Sequence, residues 1–304
     1  MNGGFFRLSD RFFVFIFNKA QSANFIGISI SIMAFYNPSF KPIPEKTARR
    51  VKTLFGKSNM YLRLGNQVDE LFTDLFSQDR IMADTSTCES VCLLFLISAI
   101  QYEEELPDLR FIKALSGRME IKYALHLPED YPSIDAVWLS GFRQQLLSSP
   151  IDLHSFQEFL DRLKKIGLLC QNPEKSSDAK IVLKTIMIAS LVERVVEAMY
   201  LLLEKLAIEN YEWLRSIILP QWYERYSRTK GIMLWPDFKN NWRSLPQAIG
   251  QDLHYLLDKI DKSPVHITEG LSTVLILRQS WEDLYEAMET NNFQSLTFKA
   301  NPGE

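Results

Sequence analysis

The alternation of apolar and polar positions predicts a chain built mainly of α-helices. Residues 88–127 carry the strongest pattern, and their first part is apolar on nearly every side, which predicts a helix that is buried all round. Its apolar positions are Val91, Leu93, Leu94, Phe95, Ile97 and Ile100. Further helices are predicted over residues 134–147, 153–166, 191–206, 247–260 and 272–288, the second of these from an apolar stripe with a period of 3.6.

A short polar break divides residues 88–127 into two helices. Pro107 lies in this break, and proline suits the first turn of a helix but cannot continue a preceding one. The second helix, residues 109–115, separates apolar from basic positions: Leu109, Ile112 and Leu115 lie on one face, and Arg110 and Lys113 on the other. Two helices joined by a short turn, with cations on the second, are typical of a helix-turn-helix DNA reader. An ordinary helical hairpin has the same pattern, so that alternative stays open.

Two segments farther along the chain allow more than one interpretation. Residues 180–188 are rich in β-branched side chains, which favours a short buried strand, but they run without a breaker into the helix predicted at 191–206. Residues 212–226 contain Trp213, Trp222, Tyr223 and Tyr226. Such aromatic side chains either stack on nucleic-acid bases or pack between helices, and packing is the commoner use.

The charge distribution restricts any nucleic-acid interface to one part of the chain. The 304 residues, enough for one large domain or two ordinary ones, carry a formal net charge of −3, so the overall basic excess of many nucleic-acid binders is absent. Residues 41–63 differ, because seven basic residues stand there against the single acid Glu45, a local charge of +6. These cations either contact phosphates or belong to a solvated leader.

The cysteines and the first residues bear on compartment and processing. Three cysteines without a disulfide-scaffold spacing fit a reducing compartment and predict a cytoplasmic protein. Cys88 and Cys92 lie four residues apart on one helix, so they either share a metal ion or fill the core. The apolar runs within residues 1–32 are each too short to span a membrane, and no membrane partner is predicted. These residues are either a signal peptide or, as we favour, a spurious extension upstream of a true start at Met33.

An ordered series of short segments resembles bacterial insertion-sequence transposases with an InsH-type N-terminal domain. The segments lie within residues 33–288 and occur in the order found in that family. They are residues 61–64, 106–118, Lys122-Tyr123-Ala124-Leu125 followed by Leu127, Ile134-Asp135, Leu139-Ser140, Phe142-Arg143, Gly167-Leu168-Leu169, Ser177-Asp178, Trp213-Leu214-Arg215, residues 222–226, Ile249-Gly250, Asp252, Leu277-Arg278 and Trp281.

The resemblance implies a DDE transposase, in which three carboxylates of an RNase H-like domain bind Mg²⁺ or Mn²⁺ for two-metal chemistry on DNA. The first of these carboxylates corresponds to Asp178, which without the resemblance reads as a helix cap or a loop acid. The family's T-D-S-T pattern is replaced by Ser177-Asp178-Ala179-Lys180, and the second and third acids are not found. We therefore expect a truncated and incomplete catalytic region that lacks a bound cofactor.

The expected organisation follows from this resemblance. Residues 33–170 form a helical DNA-binding domain with a helix-turn-helix-like element, and residues 171–304 form the mostly helical start of an incomplete catalytic region. The expected partner is double-stranded DNA carrying the terminal inverted repeats of a mobile element, with self-association or association with a full-length transposase as a further expectation. Alternatives are a helical repressor module and an active transposase completed by a second polypeptide. The predicted DNA contacts are Lys46, Arg49, Arg50, Lys52, Lys57, Arg63, Arg110, Lys113, Arg118 and Lys122.

Overall fold

A computed structural model describes residues 41–56, 58–73, 75, 85–169, 175–226, 228–229, 232–233, 245–263, 274–275 and 277–283. The predictions for residues 1–32 and for Met33 therefore lie outside the described residues. The described chain is mainly helical, which confirms the predicted fold class at this level.

The helices and strands follow one another in a simple order. They are α1 (Glu45–Leu54), α2 (Met60–Phe72), α3 (Thr85–Glu104), α4 (Asp108–Gly117), α5 (Met119–Ala124), α6 (Ala136–Ser148), α7 (Pro150–Lys165), α8 (Ala179–Glu209), α9 (Tyr211–Ile217), α10 (Pro220–Tyr226), β1 (Arg228–Thr229), β2 (Ile232–Met233) and α11 (Leu245–Asp261). The two strands pair antiparallel, with Arg228 opposite Met233 and Thr229 opposite Ile232. Residues 274–275 and 277–283 are also helical. None of the described helices is long and apolar enough to cross a bilayer.

The chain divides into two compact units, residues 1–186 and 187–304, with the division inside α8. The first unit is organised around phenylalanine side chains of α2, α3 and α7. Phe72 stacks on Phe159 with their ring centroids 4.9 Å apart, and Phe95 meets Phe156 edge to face at the same distance. All four rings are at most 1% exposed, so this aromatic cluster is the centre of the first core.

Three helices of the first unit end in the same way, with one residue in the left-handed conformation. These residues are Glu105 after α3 (φ 57°), His126 after α5 (φ 54°) and Gly167 after α7 (φ 70°). In each case the next amide donates to a carbonyl five residues earlier, as at α3, where Leu106 N binds Gln101 O at 2.8 Å. This Schellman geometry satisfies carbonyl groups that a helix end otherwise leaves without partners.

The central segment forms the two helices that the sequence predicts, α3 and α4, but α4 faces the core differently. Phe111 and Leu115 are at most 1% exposed, and Asp108 is 5% exposed, whereas Leu109 and Ile112 are only half-buried. Of the predicted apolar face, Leu115 is buried and Ile112 packs against the core, while Phe111 adds the largest buried side chain of α4. A large aromatic side chain and a paired carboxylate, one turn apart, determine which face of α4 turns inward.

A buried polar cluster fixes the turn between α3 and α4 to α6. Arg143 of α6 is 1% exposed, and its Nη2 donates to Asp108 Oδ2 at 2.5 Å. Gln101 of α3 donates from Nε2 to Asp108 Oδ1 at 2.9 Å and to Leu106 O at 3.2 Å. Because a buried charge is stable only when it is paired, these contacts set the position of α4.

The closest helix packing in the first unit occurs between α2 and α5. Gly65 of α2 faces Tyr123 of α5, and a Cβ atom at Gly65 would lie 2.9 Å from both Tyr123 O and its ring Cδ1. Tyr123 is 1% exposed, and its hydroxyl donates to Asn66 Oδ1 at 2.8 Å. Only glycine at position 65 allows this approach.

The second unit has its own core, formed by residues of α8 beyond Ile186 together with α9, α10 and α11. Trp222 is 1% exposed and contacts Tyr226 and Tyr255 edge to face, with centroid distances of 6.2 and 6.0 Å. Tyr226 OH donates to Asp252 Oδ2 at 2.9 Å, and burial, followed by the charge of Asp252, raises the pKa of Tyr226 well above its usual value. Packing is therefore the role of Trp222 and Tyr226, while Tyr223 is exposed.

Residues 180–188 belong to α8, so the helical alternative is correct there.

The close packing of α2 on α5 leads to a first prediction. We expect Gly65→Ala to lower the free energy of unfolding by about 1–3 kcal/mol, because the added methyl group meets buried backbone and ring atoms that cannot move independently. Gly117→Ala is the matched control, since its Cβ meets nothing within 4 Å, and it should be neutral or stabilising by up to about 1 kcal/mol. Urea unfolding followed by circular dichroism measures both, and equal effects of the two substitutions would contradict the packing argument.

The buried cluster at the turn between α3 and α4 leads to a second prediction. We expect Arg143→Met to cost about 3–5 kcal/mol, because the Asp108 carboxylate stays buried after its cation is lost. Arg49→Met removes an exposed ion pair, with side chains 78% and 85% exposed, and should cost no more than about 1 kcal/mol. The same unfolding experiment compares the two variants. A loss at Arg143 no larger than that at Arg49 would show that the cluster does not hold α4.

Candidate nucleic-acid interface

The basic segment predicted from residues 41–63 begins with helix α1, which lies on α5 through one narrow stripe. Val51 is fully buried and packs in a small cluster with Leu62 of α2 and Tyr123 of α5. Thr47 is also fully buried, and its Oγ1 donates to Leu127 O at 3.0 Å. Val51, the partly buried Ala48 and the Thr47 hydroxyl therefore fix α1 to the rest of the unit.

His126 connects the chain that precedes α1 to α2. Its Nδ1 lies 2.7 Å from Lys41 O, and its Nε2 lies 2.8 Å from Gly65 O. Both distances are within hydrogen-bonding range of a backbone carbonyl oxygen, so the ring lies between the two segments. His126 also adopts the left-handed conformation, which is uncommon for residues other than glycine. Its contacts to two separate segments help to stabilise that conformation.

The side of α1 that faces away from α5 is open to solvent and mainly basic. Seven of the ten residues of α1 are exposed: Glu45, Lys46, Arg49, Arg50, Lys52, Thr53 and Leu54. Four of the seven are cations and one is an acid, so the exposed face is positively charged. Together with Glu129, all of these residues except Lys52 line a shallow concave surface. We call the exposed side of α1 the basic face.

Two arginines of the basic face pair with nearby carboxylates. Arg49 Nη2 lies 2.6 Å from Glu45 Oε1, one turn earlier on α1, and Arg50 Nη1 lies 3.2 Å from Glu129 Oε2. The side chains of both arginines are more than half exposed. Exposed ion pairs of this kind contribute at most about 1 kcal/mol and weaken with salt. Phosphate oxygens can therefore replace these carboxylates at little cost.

Arg63 was predicted to contact DNA, but the structure places it at a helix end. Its Nη2 donates to Ile166 O at 2.8 Å, at the C-terminus of α7. Arg162 of α7 acts in the reverse direction, since its Nη1 donates to Leu71 O at 3.0 Å and to Thr73 O at 2.5 Å, at the end of α2. The two arginines thus cap each other's helices, and cations are favourable at helix C-termini.

Arg118, another predicted DNA contact, is held between two carboxylates. Its guanidinium contacts Glu104 at 2.5 and 3.0 Å and Glu120 at 2.7 Å, and it lies over the ring of Tyr61. The hydrogen bonds to Glu104 raise the pKa of Arg118 above its usual value. Burial and the hydrogen bond to Glu104 likewise raise the pKa of Tyr61. This cluster joins α2, α3 and α5, and we leave Arg118 out of the interface.

Lys122, which was also predicted to contact DNA, is 3% exposed. Its Nζ donates to Glu129 O at 2.5 Å and so holds the loop that follows α5. Glu129 also pairs with Arg50, so Lys122 holds a loop that contacts the basic face. We therefore leave Lys122 out of the interface as well.

The remaining predicted contacts differ in accessibility. Lys113 is exposed on α4, and Arg110 is half-buried. Lys57 lies outside the described residues. The basic face thus brings together Lys46, Arg49, Arg50 and Lys52 from the predicted set. The sequence analysis missed Thr53, Leu54 and Glu129 on the same surface, although a helical wheel of residues 45–54 identifies the first two.

Asp178, the predicted first metal ligand, begins a helix. It is exposed, and its Oδ1 accepts a hydrogen bond from Ile181 N at 3.0 Å, which caps the start of α8. Lys164 lies near, donating from Nζ to Ser177 Oγ at 3.1 Å. Within the described part of the chain, no three His, Cys, Asp or Glu residues come together at a possible metal site. The surroundings of Asp178 do not fit a two-metal centre for Mg²⁺ or Mn²⁺, so we assign no catalytic step to it.

The two alternatives for Cys88 and Cys92, a shared metal ion or a place in the core, can be compared for one of the two residues. Cys92 is fully buried in the core of the first unit. The side chain of Cys88 lies outside the described residues. The position of Cys92 favours the interpretation as a small core residue.

Comparisons with known protein families, with curated proteins and with solved structures gave no match to this chain. The function of the basic face is therefore interpreted from its own geometry and from the ordered segments described above.

Proposed function

We propose that this protein is a transposase-related DNA-binding protein that recognises the ends of an insertion sequence. The observation that carries the proposal is the basic face of α1. Four cations lie there on the open side of one helix, in a chain whose net charge is −3. A local cationic surface on an acidic chain is suited to a polyanion such as DNA.

One of the segments that resemble the transposase family, residues 122–127, holds the basic face in place. Lys122, Tyr123 and Leu127 belong to that segment, and each of them holds α1 or its surroundings in place. Tyr123 packs against Val51, Leu127 O accepts the Thr47 hydroxyl, and Lys122 holds the loop of Glu129. The resemblance and the basic face therefore concern the same part of the molecule.

Phosphate contacts give a specific expectation for salt dependence. If three or four cations of the basic face each neutralise one phosphate, the logarithm of the binding constant falls by roughly 0.9 per phosphate with the logarithm of salt concentration. The slope expected from this face is therefore about −3 to −4, and cations elsewhere add to it. A slope near zero is incompatible with the proposal.

The third prediction tests the basic face directly. We expect Lys46→Gln with Lys52→Gln to weaken binding to a duplex that carries the terminal repeats flanking the coding sequence, by about tenfold at low salt, and to reduce the salt slope by about two. Fluorescence anisotropy over a salt series measures both quantities. Both lysines are exposed, so folding should be unaffected, which circular dichroism verifies.

The matched control for that pair is Lys164→Gln with Lys165→Gln, which removes the same charge from two exposed positions of α7. This control should retain most of the affinity. Equal losses in the two pairs would indicate a nonspecific charge effect and would contradict the assignment of the basic face. A parent protein that binds the repeat duplex no better than a scrambled duplex of the same length would refute recognition of element ends.

The fourth prediction concerns α4. We expect Arg110→Ala with Lys113→Ala to weaken binding to the same duplex at matched salt, because the cations predicted on the second helix add phosphate contacts. The loss should be smaller than for the α1 pair, since only Lys113 is fully exposed. Affinity equal to that of the parent would remove α4 from the interface and leave α1 as the DNA contact.

A further inference from the structure

The two candidate helices differ in how much of their surface can reach DNA. Helix α1 exposes seven of its ten residues, whereas α4 exposes three of ten, namely Lys113, Ser116 and Gly117. Two of those three lie at the last turn of α4. A helix that reads bases must bring side chains from several turns to the floor of a groove, and this condition favours α1 over α4.

The side chains around α1 are arranged as binding in the major groove of DNA requires. With about 100° between successive residues, Arg49 points directly away from the buried stripe of Thr47 and Val51. Thr53 follows Arg49 one turn later on the same side. The centre of the basic face thus carries one planar cationic donor and one small side chain.

Cations occupy both flanks of that central line. Lys52 lies about 60° to one side of Arg49, and Lys46 and Arg50 lie about 60° and 100° to the other side. All three are exposed. The ten residues of α1 span about 15 Å, and the major groove is about 12 Å wide. A helix of this size with cations on both flanks can reach the phosphates on either side of a major groove.

We propose that α1 is the recognition helix and enters the major groove, where Arg49 reads a guanine and Thr53 contacts a thymine methyl group. Glu45 orients the Arg49 guanidinium, whose two parallel donors suit guanine O6 and N7. The Thr53 hydroxyl already donates to Arg49 O at 2.9 Å, so its contact is through the methyl group. Lys46, Arg50 and Lys52 then bind phosphates. This inference rests on the proposed function and names the helix that gives it sequence specificity.

The fifth prediction is an experiment that separates base reading from phosphate binding. Arg49→Lys keeps the positive charge but loses the paired donors of the guanidinium. We expect it to reduce discrimination between the preferred duplex and a duplex with one guanine replaced by about tenfold, at an unchanged salt slope. Selection from a randomised duplex library, followed by anisotropy on single-base variants, identifies the base concerned.

The matched variant is Lys52→Gln on the flank of the same helix. It should lower affinity to a similar extent on every duplex, reduce the salt slope by about one, and leave the selected sequence unchanged. Lys113→Ala should behave in the same way if α4 binds only phosphates.

The possible outcomes separate the two proposals. If the parent prefers the repeat duplex but Arg49→Lys keeps the parent's full discrimination, α1 does not read bases, while recognition of element ends stands. If Lys113→Ala instead changes the selected sequence, α4 is the reader and the inference is overturned. If the parent binds no duplex in preference to another, the proposed function fails and the inference fails with it.

Discussion

The first unit depends on the close packing of α2 against α5 at Gly65 and Tyr123. This contact determines the position of α5 and of His126 and Leu127 beyond its end. His126 reaches Gly65 O and Lys41 O from there, and Leu127 O accepts the hydroxyl of Thr47. Helix α1 therefore packs on α2 and α5, and these two helices can lie so close together because residue 65 has no side chain. A change at that contact would alter the position of α1 without touching any exposed cation.

Many cations of the first unit hold helix ends or carboxylates within the fold. Arg63 and Arg162 cap helix ends, Arg118 lies between two carboxylates, and Arg143 pairs with a buried aspartate. Each binds carbonyl or carboxylate oxygens, and leaving such oxygens without partners would lower the stability of the fold. A count of basic residues along the sequence therefore overestimates the interface. The arginines of α1 differ because their own side chains are more than half exposed, so their ion pairs are weak and can be exchanged.

The sequence predicted the mainly helical class and the central helices, because apolar periodicity and helix breakers are local signals, but it did not predict α1 as a helix. Helices α3 and α4 and the break between them follow from Pro107 and from the apolar run before it. The sequence was less informative where partners lie far apart in the chain. Arg63 and Ile166 are 103 positions apart, and Lys122 is buried by a loop whose path no local pattern reveals. The β-branched residues 180–188 show a further limit, since continuity with a long helix outweighed their local preference for a strand.

The α3–α4 turn has helix-turn-helix spacing, yet its geometry assigns α4 mainly to packing. The Arg143 cluster fixes the start of α4, and Phe111 and Leu115 bury the same side in the core. Most of the remaining surface of α4 is half-buried, so few of its side chains could reach the floor of a groove. Helix α1 differs from α4 in both respects. Its buried side, at Thr47 and Val51, attaches it to the unit, and its exposed side carries only weak ion pairs. A helix held in this way keeps its orientation while its exposed cations remain open to a ligand, and the proposed role as a recognition helix requires both properties.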